Sequence, residues 1–479
     1  MEICCRVTGH LRLCSLVSVL LALGACVTAP ARDPSPGEAF AHVPLGLCED
    51  YPEETRSLDE VRRDLDLMRR AGVRVLRVSI GWDGVETERD RYDLDFWDGF
   101  VELAVGELGM ELIPYVAYTP RWNATSERDD FWRTPPRDAS ELGELLGVLA
   151  TRYAGRIRSW EIWNEPDNRD YWLGSAAQYA TLLEAGSRAV RAADPGARVV
   201  LGGLAGNVDF LRELFDELGA AALVDVVNLH AYYETWNPNP VESIGDYVDD
   251  VTEIVRRHGG RQAIWMAEVG YSNHVTLESR RSARHDYEHG LDFQAVMLMR
   301  TLGLIWSKPA VSLIAWYELK DPRPTDAMIG DDHNRHLGVA FADYRPKPAF
   351  DALAFANRLG AGGLRSVDEV LRLPEPAPPD VQLHAWLTPR STLLVMAWLE
   401  THAEPAGPVG PPASPDRRLR QVQVLAPYVA RGDVTAYDAL GRPRPERPPL
   451  RQTATELALT LDLRGGDVLV VEVPLDARR

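Results

Sequence analysis

The chain has 479 residues, of which 45% are hydrophobic and 26% are charged. This length exceeds one ordinary domain, and the apolar content is enough for a large core, so the composition excludes a disordered protein. The formal net charge of -19 argues against nucleic acid as a partner, because the phosphates would be repelled.

The first 25 residues have the features of an export signal. Two arginines precede an apolar run, residues 13–25, which is too short to span a bilayer as a mature helix. The run ends in Leu23-Gly24-Ala25-Cys26, which resembles the lipobox of bacterial lipoproteins. The resemblance implies cleavage before Cys26, acylation of Cys26 and a tether over residues 26–42. An ordinary secretory signal cut near Ala25 is the alternative.

Removal of the signal would leave Cys26 carrying the lipid and Cys48 as a single thiol, so no intrachain disulfide is expected. We therefore expect an exported protein that is held on the cell envelope by its N-terminal lipid. Val27 follows the cysteine where some lipoproteins carry Asp, and this favours the outer membrane, with the protein facing the periplasm or the surface.

Strand-like apolar runs alternate with helical patterns between residues 43 and 360. Eight strands are predicted at residues 43–47, 73–80, 111–118, 157–163, 198–201, 224–230, 263–268 and 311–316. Amphipathic helices are predicted between them at residues 57–71, 139–153, 175–193 and 282–302. This alternation predicts a (β/α)8 TIM barrel. An open doubly wound sheet competes less well, because no glycine-rich phosphate motif follows the first strand.

The pattern changes after the glycine-rich segment at residues 360–363. Short alternating runs separated by proline-rich turns follow, at residues 381–387, 392–400, 421–425, 434–439, 456–463 and 467–473. Such a series is typical of an antiparallel β-sandwich. We therefore predict a small β-sandwich domain over residues 361–479, after a barrel domain over residues 43–360.

Chemically active side chains stand at the predicted strand ends, which is where such barrels place their catalytic groups. These side chains are Arg77, Tyr118, Asn164, Glu165, His230, Tyr232, Glu268 and Trp316. Pro166 closes the fourth strand and presents Glu165 at its tip. Glu268 ends the seventh strand in the same way. Two glutamates at the ends of two buried strands suit the acid/base and the nucleophile of glycoside cleavage.

The two glutamates need different surroundings. A nucleophilic Glu268 must be ionised, so it requires a cation and hydrogen-bond donors, which Arg77 and Tyr232 can supply. Glu165 must begin protonated, which calls for a less polar setting that His230 and Trp316 can help to provide.

These motifs resemble those of clan A retaining glycoside hydrolases, most closely glycoside hydrolase family 39 and the neighbouring family 5. The resemblance covers residues 43–358 and rests on Asn-Glu-Pro at 164–166, His-Ala-Tyr at 230–232, Glu-x-Gly at 268–270 and Ala-Trp-Tyr at 315–317. It implies that Glu165 is the general acid/base and Glu268 the nucleophile. It further implies that Asn164 holds the sugar 2-hydroxyl and that Trp316 is a platform beneath the sugar. Tyr118 departs from the histidine that many family 5 members have near this strand end.

The sequence therefore predicts a retaining glycosidase that cleaves a β-linked oligo- or polysaccharide without a cofactor or a metal ion. A non-catalytic carbohydrate-binding lipoprotein and a transglycosidase that uses the same residues are the alternatives. The sugar, its linkage and the choice between endo and exo action stay open at this point.

Overall fold

The computed structural model describes residues 40–274, 289–323, 332–376, 378–401, 416 and 418–476, and the backbone of two short strands at 285–286 and 404–405. The predicted signal peptide, the predicted acylation site Cys26 and the predicted tether up to residue 39 lie outside the described residues. Within the described part, no helix is both long and apolar enough to cross a membrane. The described residues, from 40 to 476, all belong to one compact unit.

Eight parallel strands close into a barrel in which each strand pairs with the next and the last pairs with the first. They are β1 (Leu45–Glu49), β2 (Val75–Gly81), β3 (Glu111–Ala117), β4 (Ser159–Ile162), β5 (Arg198–Leu201), β6 (Val226–Ala231), β7 (Ala263–Val269) and β8 (Val311–Tyr317). These bounds lie within two residues of the predicted ones. The predicted (β/α)8 barrel is confirmed.

Helices cover the outside of the barrel. They are α1 (Leu58–Arg70), α2 (Trp82–Val85), α3 (Asp95–Val101), α4 (Ser140–Arg152), α5 (Ala176–Ala193), α6 (Val208–Arg212), α7 (Ile244–Arg257), α8 (Leu291–Trp306) and α9 (Pro348–Gly360). α1 illustrates how the sequence specifies them: the Ser57 side chain accepts a hydrogen bond from the Glu60 N–H at the first turn, and Val61, Leu65 and Met68 are buried on one face.

One predicted helix differs in the structure. The amphipathic pattern over residues 282–302 predicts an earlier start, whereas α8 begins at Leu291 and ends at Trp306. Residues 275–284 and 287–288, which contain the first part of the predicted helix, lie outside the described residues.

The C-terminal segment forms two antiparallel sheets, as predicted. Its strands are β9 (Arg365–Ser366), β10 (Val381–Thr388), β11 (Thr392–Leu399), β12 (Leu419–Ala426), β13 (Thr435–Tyr437), β14 (Leu450–Gln452), β15 (Leu457–Arg464) and β16 (Leu469–Pro474). One sheet has the strand order β9-β10-β11-β16-β13 and the other has the order β12-β15-β14. Apolar side chains of both sheets share one core.

The five-stranded sheet also packs on the barrel through its second face. Met396 and Trp398 pack closely against Gly303 of α8. A side chain at position 303 would place its Cβ only 3.3 Å from each of them. The Trp386 indole N–H donates to the Trp306 carbonyl at 3.1 Å. The barrel and the sandwich therefore share buried apolar surface rather than meeting only through a linker.

Candidate active site

The carboxyl ends of the barrel strands bring most of the predicted site residues together around one cavity of about 760 Å³. Its lining contains Tyr118, Asn164, Glu165, His230, Tyr232 and Glu268. A cavity of this size suits one or a few sugar units. Arg77 lies directly beneath the lining and is fully buried. Trp316 is the predicted site residue that the structure places elsewhere.

Glu165 follows β4 in a strained turn. Its φ is 44° and that of Trp163 is 76°, both in the left-handed region that non-glycine residues rarely adopt. The side chain is held from both sides: His230 Nδ1 lies 2.9 Å from Oε1 and the Asn168 amide donates to Oε2 at 2.7 Å. Burial raises the pKa of Glu165 to about 7, although the Asn168 hydrogen bond acts in the opposite direction. A carboxyl group with such a pKa can carry a proton near neutral pH.

Glu268 stands near the end of β7 and receives three contacts. The Arg77 guanidinium donates to Oε2 at 2.7 Å, and the Tyr232 hydroxyl donates to Oε1 at 2.7 Å. The Cys48 thiol lies 3.9 Å from Oε2. Burial raises the pKa of Glu268 above the usual value, while the charge of Arg77, and that of His230 when its ring is protonated, lower it again in part. The donors that the sequence predicts for a nucleophilic carboxylate are therefore in place.

The two glutamates are close neighbours. One carboxylate oxygen of Glu165 and one of Glu268 lie within 4.8 Å of each other, with His230 between them. His230 Nδ1 is 3.6 Å from Glu268 Oε1. Pairing of β6 with β7 sets this arrangement, because His230 stands opposite Glu268 beyond a bulge in the register.

The hydrogen bonds of Asn228 fix the tautomer of His230. Asn228 Oδ1 accepts from the Ala267 N–H at 2.9 Å, so its amide nitrogen is the group that faces His230 Nε2 at 3.5 Å. Nε2 therefore accepts, and Nδ1 carries the proton that it donates to Glu165. Burial also lowers the pKa of His230, which favours the neutral ring. Position 203 must be glycine to leave room for this ring, because the Cβ of any other residue there would lie 1.9 Å from His230 Nε2.

Glu161 supports the site from below, although no motif in the sequence marks it. It is fully buried on β4 and accepts from Arg77 Nε at 2.8 Å and from Arg77 Nη2 at 2.9 Å. Asn228 and the Gly203 N–H donate to its Oε1 at 3.0 and 2.8 Å. Glu161 thus fixes the guanidinium that contacts Glu268. A charged residue inside an apolar strand run is the signal that could have found it.

Replacing Glu161 by alanine should lower the free energy of unfolding by about 3–5 kcal/mol, because Arg77 would lose its bidentate partner while staying buried. Glu111→Ala is a matched control. It breaks a pair with Arg198 in which both side chains are 43% exposed, and it should cost less than about 1 kcal/mol. Denaturant unfolding of both variants measures the difference. Equal losses would mean that the buried pair contributes no more than a surface pair.

Asn164 has an orientation compatible with its predicted role. Its Oδ1 accepts from Arg77 Nη2 at 2.8 Å. The amide group is thereby fixed, so Nδ2 is the end left to act as a donor at the cavity wall. Tyr118 also lines the cavity, with a φ of 78°, and its ring meets Trp132 edge-on at 5.2 Å.

The prediction that Trp316 forms the sugar platform needs correction. Trp316 is fully buried and packs in the hydrophobic core, and it does not belong to the cavity lining. The next residue, Tyr317, lines the cavity and pairs with Cys48, whose thiol faces Glu268. Side chains alternate between the two faces of a strand, so residues 316 and 317 cannot both face inward. Tyr317 is the aromatic residue that β8 presents to the cavity.

Asp50 is a further cavity residue that the sequence analysis does not single out. It follows β1, and its carboxylate accepts hydrogen bonds from the Tyr317 hydroxyl at 2.9 Å and the Tyr115 hydroxyl at 3.2 Å. These bonds hold a partly exposed carboxylate at the cavity wall, where it can accept from a sugar hydroxyl.

Comparison with known proteins agrees with this geometry. Residues 38–258 match the family model of the glycosyl hydrolases family 39. The matched span contains Glu165 and ends before Glu268. No curated protein matches the chain.

Several solved structures share the fold over nearly the whole chain. A family 39 glycoside hydrolase from Bacteroides cellulosilyticus WH2 has 17% identity and a TM-score of 0.65, over 90% of this chain and 81% of that chain. A monomeric beta-xylosidase from Caulobacter crescentus CB15 has 18% identity and a TM-score of 0.59, over 92% and 98%. A family 39 enzyme from Xanthomonas axonopodis pv. citri has 16% identity and a TM-score of 0.60, over 90% and 94%.

The barrel, the buried pair of glutamates and the family match define the chain as a glycoside hydrolase. Its substrate is accordingly a carbohydrate, and the region of similarity to family 39 is the first part of the barrel.

Proposed function

We propose that the protein is a retaining glycosidase that cleaves a β-linked neutral glycan by double displacement. The observation that carries the proposal is the separation of carboxylate oxygens of Glu165 and Glu268, which lie within 4.8 Å of each other. Retaining enzymes hold their two carboxyl groups about 5–5.5 Å apart, whereas inverting enzymes need about 6.5–9.5 Å to admit a water molecule.

In the first step Glu268 Oε attacks the anomeric carbon from the α face while the bond to the leaving oxygen breaks. Glu165 gives its proton to that oxygen, so the aglycone leaves as a neutral alcohol and the sugar is bound to Glu268 as an ester. Arg77 and Tyr232 hold the attacking carboxylate in position through their 2.7 Å contacts.

In the second step Glu165, now ionised, removes a proton from a water molecule that attacks the same carbon from the β face. The ester bond to Glu268 breaks, and the product keeps the β configuration. While the ester exists, Glu268 carries no charge, so the repulsion between the two carboxylates is absent. The absence of this repulsion favours the ionised form of Glu165 at the moment when it must act as a base.

The charge of the cavity supports a neutral substrate. Seven carboxyl side chains line the described part of the cavity, and no lysine or arginine does: Asp50, Glu53, Glu54, Glu165, Asp170, Glu268 and Glu318. A uronic acid would place its negative charge next to these carboxyl groups, and the described lining offers no lysine or arginine to pair with it, which costs affinity. The aromatic residues Tyr171, Trp236 and Tyr317 in the same lining suit the apolar faces of neutral sugar rings.

The rate on an ordinary glycoside should fall as the pH rises above about 7. Burial raises the pKa of Glu165 to about 7, and only its protonated form can donate to a poor leaving group. A substrate with a dinitrophenyl leaving group needs little proton donation, so its kcat/KM should fall much less over the same range. Parallel pH profiles for the two substrates measure this. If kcat/KM fell equally at high pH for both substrates, a group other than Glu165 would control the fall.

Activated 2-deoxy-2-fluoro β-glycosides test the proposal. Incubation with a panel of neutral glycones, followed by intact mass measurement and peptide mapping, should give one covalent sugar on Glu268, because the fluorine slows the second step more than departure of the activated group. Glu268→Gln should give no adduct.

NMR of the first product formed from a natural-type substrate should show the β anomer, and a first product with the α anomer would contradict retention. Sugar acceptors added to the same assay distinguish hydrolysis from transglycosylation.

We also propose that Cys26 anchors the protein to the cell envelope, on the basis of the lipobox-like residues 23–26. Mass measurement of the mature N-terminal peptide should show an acylated Cys26, and Cys26→Ser should release the protein from membranes. A mature chain that starts at an unmodified residue would contradict this proposal.

A further inference from the structure

A second group of carboxylates lies at the rim of the barrel, apart from the catalytic pair. Glu49 is the last residue of β1, Glu54 lies in the turn after it, and Glu318 directly follows β8. β1 and β8 are paired strands, so their ends are adjacent. One carboxylate oxygen from each of the three residues lies within 4.8 Å of the other two. Glu54 and Glu318 also line the substrate cavity.

The negative charge of this group is only partly balanced. Lys320 Nζ lies 2.7 Å from Glu54 Oε2 and 3.1 Å from Asp64 Oδ2. Among the described residues no other lysine or arginine forms an ion pair with Glu49, Glu54, Asp64 or Glu318. Four carboxyl groups therefore share one ammonium group, in surroundings where an uncompensated charge is costly.

Two of the oxygens are buried without a donor. The Leu319 N–H donates to Glu49 Oε1 at 2.6 Å, but Glu49 Oε2 has no hydrogen-bond partner among the described residues. Glu318 Oε1 is equally without one in that part of the chain. Glu49 is fully buried and Glu318 is 2% exposed. A buried carboxylate oxygen that lacks a donor is destabilising unless a cation or a proton occupies its free side.

We propose that Glu49, Glu54 and Glu318 bind a hard divalent cation, with Ca²⁺ as its representative. Carboxylate oxygens are the ligands that such ions prefer, and three of them converge here from two adjacent strand ends. Water from the substrate cavity can complete the coordination, because Glu54 is 13% exposed there. The cation would tie the end of β1 to the end of β8, next to the cavity residues Asp50 and Tyr317.

Protons are the competing occupants of the same positions. Burial raises the pKa of Glu49 and of Glu318 well above the usual range, and it also raises the pKa of Glu54. The carboxyl groups of Glu49 and Glu54 are close enough to share one proton. Cation binding must displace such protons, so the affinity should increase as the pH rises.

The test is cation binding to the full-length chain after removal of metal ions with a chelator. Addition of Tb³⁺ should give a saturable luminescence signal, sensitised by nearby tyrosines, that Ca²⁺ competes away. Saturating Ca²⁺ should also raise the Tm by roughly 3 °C or more. Glu318→Gln should weaken binding at least tenfold. Glu54→Gln, at the more exposed position, should do the same if the first variant does not fold.

Two further variants test whether the cation binds at one of the other two clusters of carboxylates instead. Glu165, His230 and Glu268 also converge, and so do the more exposed Asp90, Glu141 and Glu144. Glu268→Gln and Glu144→Gln should therefore leave Ca²⁺ binding and the Tm shift unchanged. Loss of binding in either variant, or the absence of binding by the unmodified protein, would overturn the proposal. If the unmodified protein does not bind Ca²⁺, protons alone neutralise the carboxylates of Glu49, Glu54 and Glu318. Glu318→Gln should then stabilise the protein without added cation. Glycosidase activity enters none of these readouts.

Discussion

Replacing Glu268 by alanine should lower kcat/KM by roughly 10⁴-fold or more, which corresponds to a loss of about 5 kcal/mol of transition-state stabilisation. The reason is that Glu268 is the carboxylate that Arg77 and Tyr232 hold in position for the attack. Sodium azide should restore turnover on an activated β-glycoside, because the small anion fits the space left by the carboxylate. Azide would attack from the α face, so the product should be the α-glycosyl azide, which NMR identifies.

Glu234 offers a matched control for that experiment. It is another fully buried glutamate near the same strand ends, and burial raises its pKa to about 7. It accepts from the Val241 N–H at 2.9 Å and does not belong to the described cavity lining. Glu234→Gln should keep its activity within a few-fold and should not respond to azide. A β-glycosyl azide from the Glu268 variant, or no response at all, would show that Glu268 is not the nucleophile.

The sequence predicts the barrel well because its information is local. Each barrel strand is a short apolar run bounded by turn residues, and the predicted bounds of the fifth strand, residues 198–201, coincide with β5. The carboxyl ends of parallel strands always meet at one rim, so residues at strand ends such as His230 and Glu268 can be grouped from the sequence alone.

Side-chain direction is less accessible to sequence analysis. The sequence favours Trp316 as the aromatic residue of the cavity, whereas Tyr317 lines it. Neighbouring residues of a strand lie on opposite faces, and an aromatic pair at a strand end gives no internal sign of which member faces inward.

Networks between distant residues are also difficult to predict. Glu161 receives donors from Arg77 on β2, from Gly203 after β5 and from Asn228 on β6. Glu49 and Glu318 are 269 positions apart in sequence and meet only because β8 closes the barrel against β1. Neither arrangement has a fixed spacing along the chain, so only the closed barrel reveals it.

Replacing Glu165 by alanine should produce a loss that depends on the leaving group. A substrate with an alkyl or sugar leaving group needs the proton, so its kcat/KM should fall by roughly 10²–10⁴-fold. A dinitrophenyl glycoside can form the ester without it, and the intermediate should then accumulate because no base activates water. A rapid burst of dinitrophenol, followed by slow turnover that azide accelerates, measures this. The azide product should be the β-glycosyl azide, opposite to that of the Glu268 variant.

Asp167 provides the comparison for this result, because it is a neighbouring acid with a structural task. Its carboxylate accepts from the Ala205 N–H at 2.9 Å and the Asn207 N–H at 3.0 Å, and burial raises its pKa to about 6. Asp167→Asn should lower stability without changing the ratio of rates on good and poor leaving groups. If both variants lost activity equally on both substrates, Glu165 would support the loop and would not donate the proton. The leaving-group dependence therefore separates catalysis by Glu165 from its structural effects.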